Sequence, residues 1–61
     1  MDKQVIQRML EKYEQMELDN KETKKFCMDP IQRAYREGME MVYFQVIEDL
    51  RRMLEKQNYD Q

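Results

Sequence analysis

Thr23 and Cys27 carry the aliphatic hydroxyl and the thiol of this chain that could act as nucleophiles. Such a group needs a positioned base beside it before it can attack a substrate. The 61-residue chain has no histidine and no serine, Thr23 falls in a charged connector, and Cys27 has no imidazole to deprotonate it. We therefore interpret Cys27 as a buried structural residue and expect no enzymatic activity.

The sequence also has few residues that could bind a metal or a cofactor. One cysteine without histidine cannot form a zinc cage, and a chain with the single glycine Gly38 has no glycine-rich phosphate loop. Carboxylates alone do acid–base work only in a pocket, and amphipathic helices spread them over solvent faces. The sequence predicts no catalytic residue, cofactor, metal or small-molecule substrate.

Chain length and net charge limit the possible classes of protein further. Domains this short lie near the limit of independent stability, and without a disulfide or metal they usually depend on association. The net charge of -2, from 11 basic and 13 acidic residues, gives no long-range attraction to nucleic acid or anionic lipid. The longest apolar run, residues 41–44, is far below the roughly 20 residues of a membrane span. With a free thiol, these features predict a soluble cytoplasmic protein.

The first amphipathic helix is predicted over about residues 2–17, with Asp2 as its N-terminal cap. At about 100° per residue, its apolar residues share one arc: Val5, Ile6, Met9, Leu10, Tyr13 and Met16. A connector is expected over about residues 18–28, because Asp19 and Asn20 favour a turn. In it, Phe26 to Met28 fold back over the hairpin end. The alternative is that the first helix continues to about Phe26.

The second helix has a well-marked start. Asp29 is a preferred N-cap, and Pro30 fits the first helical position because its missing N–H has no helical partner there. The helix is predicted to run from residue 30 to about residue 57. Asn58 is the expected C-terminal cap, and residues 58–61 form the tail.

The second helix is apolar over about 180° of its circumference, where packing against one neighbour needs about 100–140°. Leaving five or six large apolar side chains in water would forgo roughly 1.5–3 kcal/mol each. The sequence therefore predicts an all-α helical hairpin with a longer second helix, forming a homodimeric four-helix bundle. A hairpin that docks on another protein is the alternative.

The residues expected at the oligomer interface lie within this broad arc, except for Ala34 just outside it. They are Ala34, Tyr35, Gly38, Val42, Val46, Leu50 and Met53. Ala34 and Gly38 suggest a close helix crossing, since glycine in a helix costs about 0.5–1 kcal/mol; a tolerated surface glycine is the alternative. Asp49 also falls within the arc, where a polar residue can set register or mark the point where the helix leaves the bundle.

Met41 and Phe44 project away from the main arc, with Tyr43 beside them. Exposed apolar side chains mark contact surfaces, so these three are the predicted partner-binding residues. The alternative is that the bundle buries them.

Nucleic-acid binding is the alternative function. Lys21, Lys24 and Lys25 form a basic cluster, and Arg33 and Arg36 lie one helical turn apart. In a dimer these could pair into a surface for a phosphate backbone, although glutamates are interspersed with them. In length and helical plan alone, the chain resembles the small dimeric RNA-binding hairpins that regulate plasmid copy number; no motif is shared and no residue roles are transferred.

The function favoured by the sequence is protein–protein interaction. A small regulator, inhibitor or adaptor would act by occupying a partner's surface through its helices. Short, acidic chains without catalytic residues are typical of phage and mobile-element proteins, which often redirect a host protein.

Overall fold

The chain is a hairpin of two antiparallel α-helices in a computed structural model that describes residues 2–59 and the side chains of residues 2–57. Helix α1 spans Lys3–Lys25 and helix α2 spans Pro30–Tyr59. Residues 26–29 form the loop, and the described residues contain no strand. The predicted all-α hairpin with a longer second helix is confirmed.

Both helices begin at an aspartate, as predicted. The Asp2 carboxylate accepts a hydrogen bond from the Gln4 backbone N–H at 3.2 Å, and the Asp29 carboxylate accepts one from the Ile31 N–H at the same distance. Each bond satisfies an N–H group that has no partner within its helix. Pro30 is the first residue of α2.

The predicted connector over residues 18–28 is wrong, and the alternative of a first helix reaching about Phe26 is the one observed. Asn20 does not compete for its own backbone, because its side chain is buried against α2. Thr23 donates its hydroxyl to the Asp19 carbonyl at 2.9 Å within the helix. Phe26 and Met28 do not fold back over the hairpin end; both are exposed.

The end of α2 also differs from the prediction. The helix continues through Asn58, which is therefore not its C-terminal cap, and Tyr59 is its last residue. The predicted tail lay over residues 58–61; its first two residues are helical, and its last two lie outside the described residues.

The core of the hairpin is small. Ile6, Ile47 and Leu50 are the buried apolar residues of the described chain, at 0%, 3% and 4% exposure. Beside them the rings of Tyr13 and Tyr43 pack with centroids 6.4 Å apart at an angle of 52°. Leu50 therefore belongs to the contact between α1 and α2. Leu50 was predicted at an oligomer interface, but its side chain faces α1 and is already covered within the hairpin.

Two cross-helix contacts fix the register of the hairpin. Tyr13 packs on Tyr43, and Asn20 bonds Arg36, and both pairs of residue numbers add to 56. Lys3, the first residue of α1, is consequently level with about residue 53 of α2. The last turn and a half of α2 therefore extends beyond α1.

Gly38 makes no close helix crossing within the hairpin. A Cβ built on it would meet nothing within 4 Å, and Ala34 is exposed as well. The predicted crossing at these two residues would need a second chain.

Over the described residues, neither helix combines the length and the apolarity needed to cross a membrane.

Candidate interaction surfaces

More large apolar residues of this hairpin are exposed than are fully buried. Ten large apolar residues of the described chain are exposed, against three that are buried: Val5, Leu18, Phe26, Met28, Ile31, Tyr35, Met41, Val42, Phe44 and Met53. Contiguous exposed apolar side chains mark interaction surfaces in soluble proteins. On α2 they fall into two sets, on opposite sides of the contact with α1.

The first set forms a groove between the two helices. Met41 and Phe44, 74% and 59% exposed, lie three residues apart on one side of α2. The remaining lining residues, which we include in the Met41–Phe44 groove, are polar or charged: Glu17, Lys21, Glu37, Glu40 and Gln45. Because α1 forms the opposite wall, the two apolar side chains lie in a concave surface.

The rim of the Met41–Phe44 groove is held by ion pairs across the hairpin. The Lys24 ammonium lies 3.3 Å from the Glu40 carboxylate and 3.7 Å from that of Glu37. Lys21 lies 3.9 Å from Glu17 within α1. Carboxylates outnumber ammonium groups among the lining residues, and Lys24 pairs with two of them, so the groove is apolar inside with a weakly acidic rim.

Tyr43 is not part of this surface. Its ring is half-buried and packs against Tyr13 in the contact between the helices. The predicted outward direction of Met41 and Phe44 agrees with their exposure, whereas Tyr43, predicted beside them, faces α1. Tyr43 is four residues before Ile47, so the helical turn directs it toward α1.

The second set runs along α2 on the other side, and we call it the α2 stripe. At about 100° per residue it lies about 70–150° from the core direction, opposite to the groove. Its members are Ile31, Tyr35, Gly38, Val42, Val46, Asp49 and Met53. Val46 is half-buried and the other six are exposed. Five of the seven predicted oligomer-interface residues belong to the stripe, Ala34 lies beside it, and Leu50 lies in the core.

The contact between Asn20 and Arg36 was missed by the sequence reasoning. The Asn20 amide donates to the Arg36 carbonyl at 2.8 Å, and its oxygen accepts from the Arg36 guanidinium at 3.3 Å. The spacing of seven residues from Ile6 to Tyr13 to Asn20 was the available signal, because residues seven apart share a helix face. Because a connector was predicted at Asn20, this helical spacing was not extended to it.

The predicted basic residues are only partly brought together. Lys21, Lys24, Lys25 and Arg33 surround a shallow depression that also includes Glu40. The three lysines are each within 4.0 Å of a glutamate carboxylate, whereas Arg33 makes no ion pair with the described residues. Arg36 is separate from them, bonded to Asn20, with its guanidinium 5.6 Å from the centre of the Tyr35 ring.

Fold and surfaces together define an all-α helical hairpin with two exposed apolar surfaces. No protein-family model, curated protein or solved structure gives a significant match to this chain.

Proposed function

We propose that this protein is a non-enzymatic interaction module that acts as a regulator, inhibitor or adaptor by binding a partner protein. In this proposal, two copies join through the α2 stripe into a four-helix bundle, and each copy binds the partner through the Met41–Phe44 groove. The observation that carries the proposal is the excess of exposed over buried large apolar side chains on a hairpin this small.

The groove suits an amphipathic helix of the partner. Helix-in-groove recognition places apolar side chains spaced by three or four residues into a concave apolar surface. The flexible, polarisable Met41 side chain adapts to the shape of an incoming residue, and Phe44 supplies a rigid face beside it. The acidic rim from Glu37 and Glu40 favours basic residues flanking the apolar anchors of that helix.

A capture experiment with matched variants tests this function. We expect the native protein to retain a defined partner from extracts of its own host, and Phe44→Glu to lose it, because a charge would enter the groove. Met28→Glu is the control, since Met28 is equally apolar, 95% exposed and outside the groove. Retention by Phe44→Glu, or loss by both variants, contradicts the proposal. Circular dichroism must show native helicity for both.

Nucleic-acid binding remains the second candidate, supported by the four basic side chains around one depression. Their glutamate partners reduce the local positive potential, which makes this the weaker candidate. Retention on heparin that falls steeply with salt would favour it, since phosphate contacts release counterions. Lys25→Glu with Arg33→Glu is the suitable variant. Lys24 is unsuitable because it bridges the two helices.

A further inference from the structure

The α2 stripe has the same spacing in both directions from Val42. Its seven positions follow one another at steps of 4, 3, 4, 4, 3 and 4 residues, with Val42 in the middle. A surface that meets an identical copy across a two-fold axis must be complementary to itself. A stripe with symmetric spacing meets this condition when the two helices run antiparallel.

We propose that two copies pack α2 against α2 antiparallel, with Val42 on the two-fold axis. This inference rests on the homodimer proposed above and adds the direction and register of its helices. Residues whose numbers add to 84 then face one another. Ile31 meets Met53, Tyr35 meets Asp49, and Gly38 meets Val46, each pair occurring twice.

The pairing of Gly38 with Val46 accounts for the glycine. Within the hairpin the position of a Gly38 Cβ is open space, so the absent side chain has no function in the single chain. Opposite Val46 of a second copy, the same absence leaves room for a branched side chain. Such close packing offsets the lower helix propensity of glycine.

The pairing of Tyr35 with Asp49 accounts for the acidic residue in an apolar stripe. The Asp49 side chain is 56% exposed, with its carboxylate 3.9 Å from Arg52 and 3.4 Å from the Gln45 amide. Both contacts use Oδ1, so Oδ2 can accept a hydrogen bond from the Tyr35 hydroxyl of the other copy. Tyrosine suits an interface because its ring is apolar and its hydroxyl finds a polar partner.

A parallel arrangement lacks these pairings. It would place Asp49 against Asp49 and Gly38 against Gly38. Two carboxylates close together repel each other, and Val46 would face a second Val46 in place of the space left by Gly38. Of the two directions, the antiparallel one gives both Gly38 and Asp49 a complementary neighbour.

The area of the face that carries the α2 stripe is close to the area that a stable dimer buries. From Ile31 to Met53 the stripe is about 33 Å long, and a face two helices wide covers roughly 650 Å². A standard stable interface buries roughly 800 Å² on each partner.

Disulfide trapping tests the register, and sedimentation separately tests the dimer. In a Cys27→Ala background, we expect Val42→Cys to oxidise almost completely to a covalent dimer, because the two-fold axis brings both copies of residue 42 together. Ile31→Cys alone should remain largely unlinked. Mixed with Met53→Cys, it should give mainly the mixed disulfide.

The pattern of cross-linking distinguishes an incorrect register from the absence of a dimer. Equal self-linking of Ile31→Cys, Val42→Cys and Met53→Cys would indicate a parallel dimer and overturn the register. A sedimenting dimer in which Val42→Cys does not link would overturn the register but leave the homodimer standing. A monomer at micromolar concentration would overturn both.

Discussion

The Asn20 side chain joins the two helices through both of its polar atoms. Its amide donates to the Arg36 carbonyl at 2.8 Å, and its oxygen accepts from the Arg36 guanidinium at 3.3 Å. Asn20 is only 3% exposed, so water is largely excluded from this contact. The buried Arg36 Nε makes no hydrogen bond with the described residues. This pair therefore fixes the relative position of α1 and α2 near the loop.

Replacing Asn20 with leucine should destabilise the hairpin by about 1–3 kcal/mol. The substitution roughly keeps the volume but removes two hydrogen bonds and leaves the guanidinium without its acceptor. Urea unfolding followed by circular dichroism measures the change, at one fixed protein concentration because dimerisation would shift the midpoint.

The double variant Asn20→Leu with Arg36→Met is the control for this explanation. Removing the guanidinium as well should recover part of the lost stability, since the residue 36 carbonyl keeps its hydrogen bond within α2 and no buried polar side chain is then left unpaired. A double variant whose loss equals the sum of the two single losses would mean that the two side chains do not act as a pair.

Truncation of the core should be far more costly than truncation of the surface. Ile6→Ala removes a fully buried side chain and should cost about 2–4 kcal/mol. Met28→Ala removes a side chain of similar size that is almost entirely exposed and should change stability by less than about 0.5 kcal/mol. Thermal unfolding of both variants at equal concentration makes the comparison. Equal losses of stability in the two variants would show that Ile6 is not part of the core.

The two aspartate caps should contribute unequally. Asp29→Ala should destabilise the protein by about 1 kcal/mol, because it removes the cap that starts α2 next to the loop. Asp2→Ala removes an equivalent bond at the start of α1, where no turn between the two helices depends on the cap. Chemical unfolding should therefore show the larger shift for Asp29→Ala, and the reverse order would refute this ranking.

Gly38→Leu should act in opposite directions on the helix and on the dimer. Leucine has the higher helix propensity by roughly 0.5–1 kcal/mol, and open space surrounds Gly38 in the hairpin. If Val46 of a second copy occupies that space, the dimer should dissociate at least tenfold more readily, measured by sedimentation equilibrium. Unchanged association would show that residue 38 is outside the interface.

Local sequence patterns were sufficient for much of the fold. Asp29 and Pro30 fixed the start of α2 because capping and the proline ring act on neighbouring backbone atoms. The apolar periodicity identified two helices, and it also indicated the outward direction of Met41 and Phe44. These features depend on the chain's nearest neighbours along the sequence.

Contacts between the helices decided the rest. Asn20 reads locally as a turn residue, but its bonds to Arg36 make it part of a continuous α1. Tyr43 and Leu50 share the broad apolar arc of α2 with Val42, and only the position of α1 separates those that are buried from those that remain exposed. The amino-acid sequence by itself determined where apolar side chains lie around each helix. Tertiary structure decided which of them were already covered, because burial depends on residues distant in the chain.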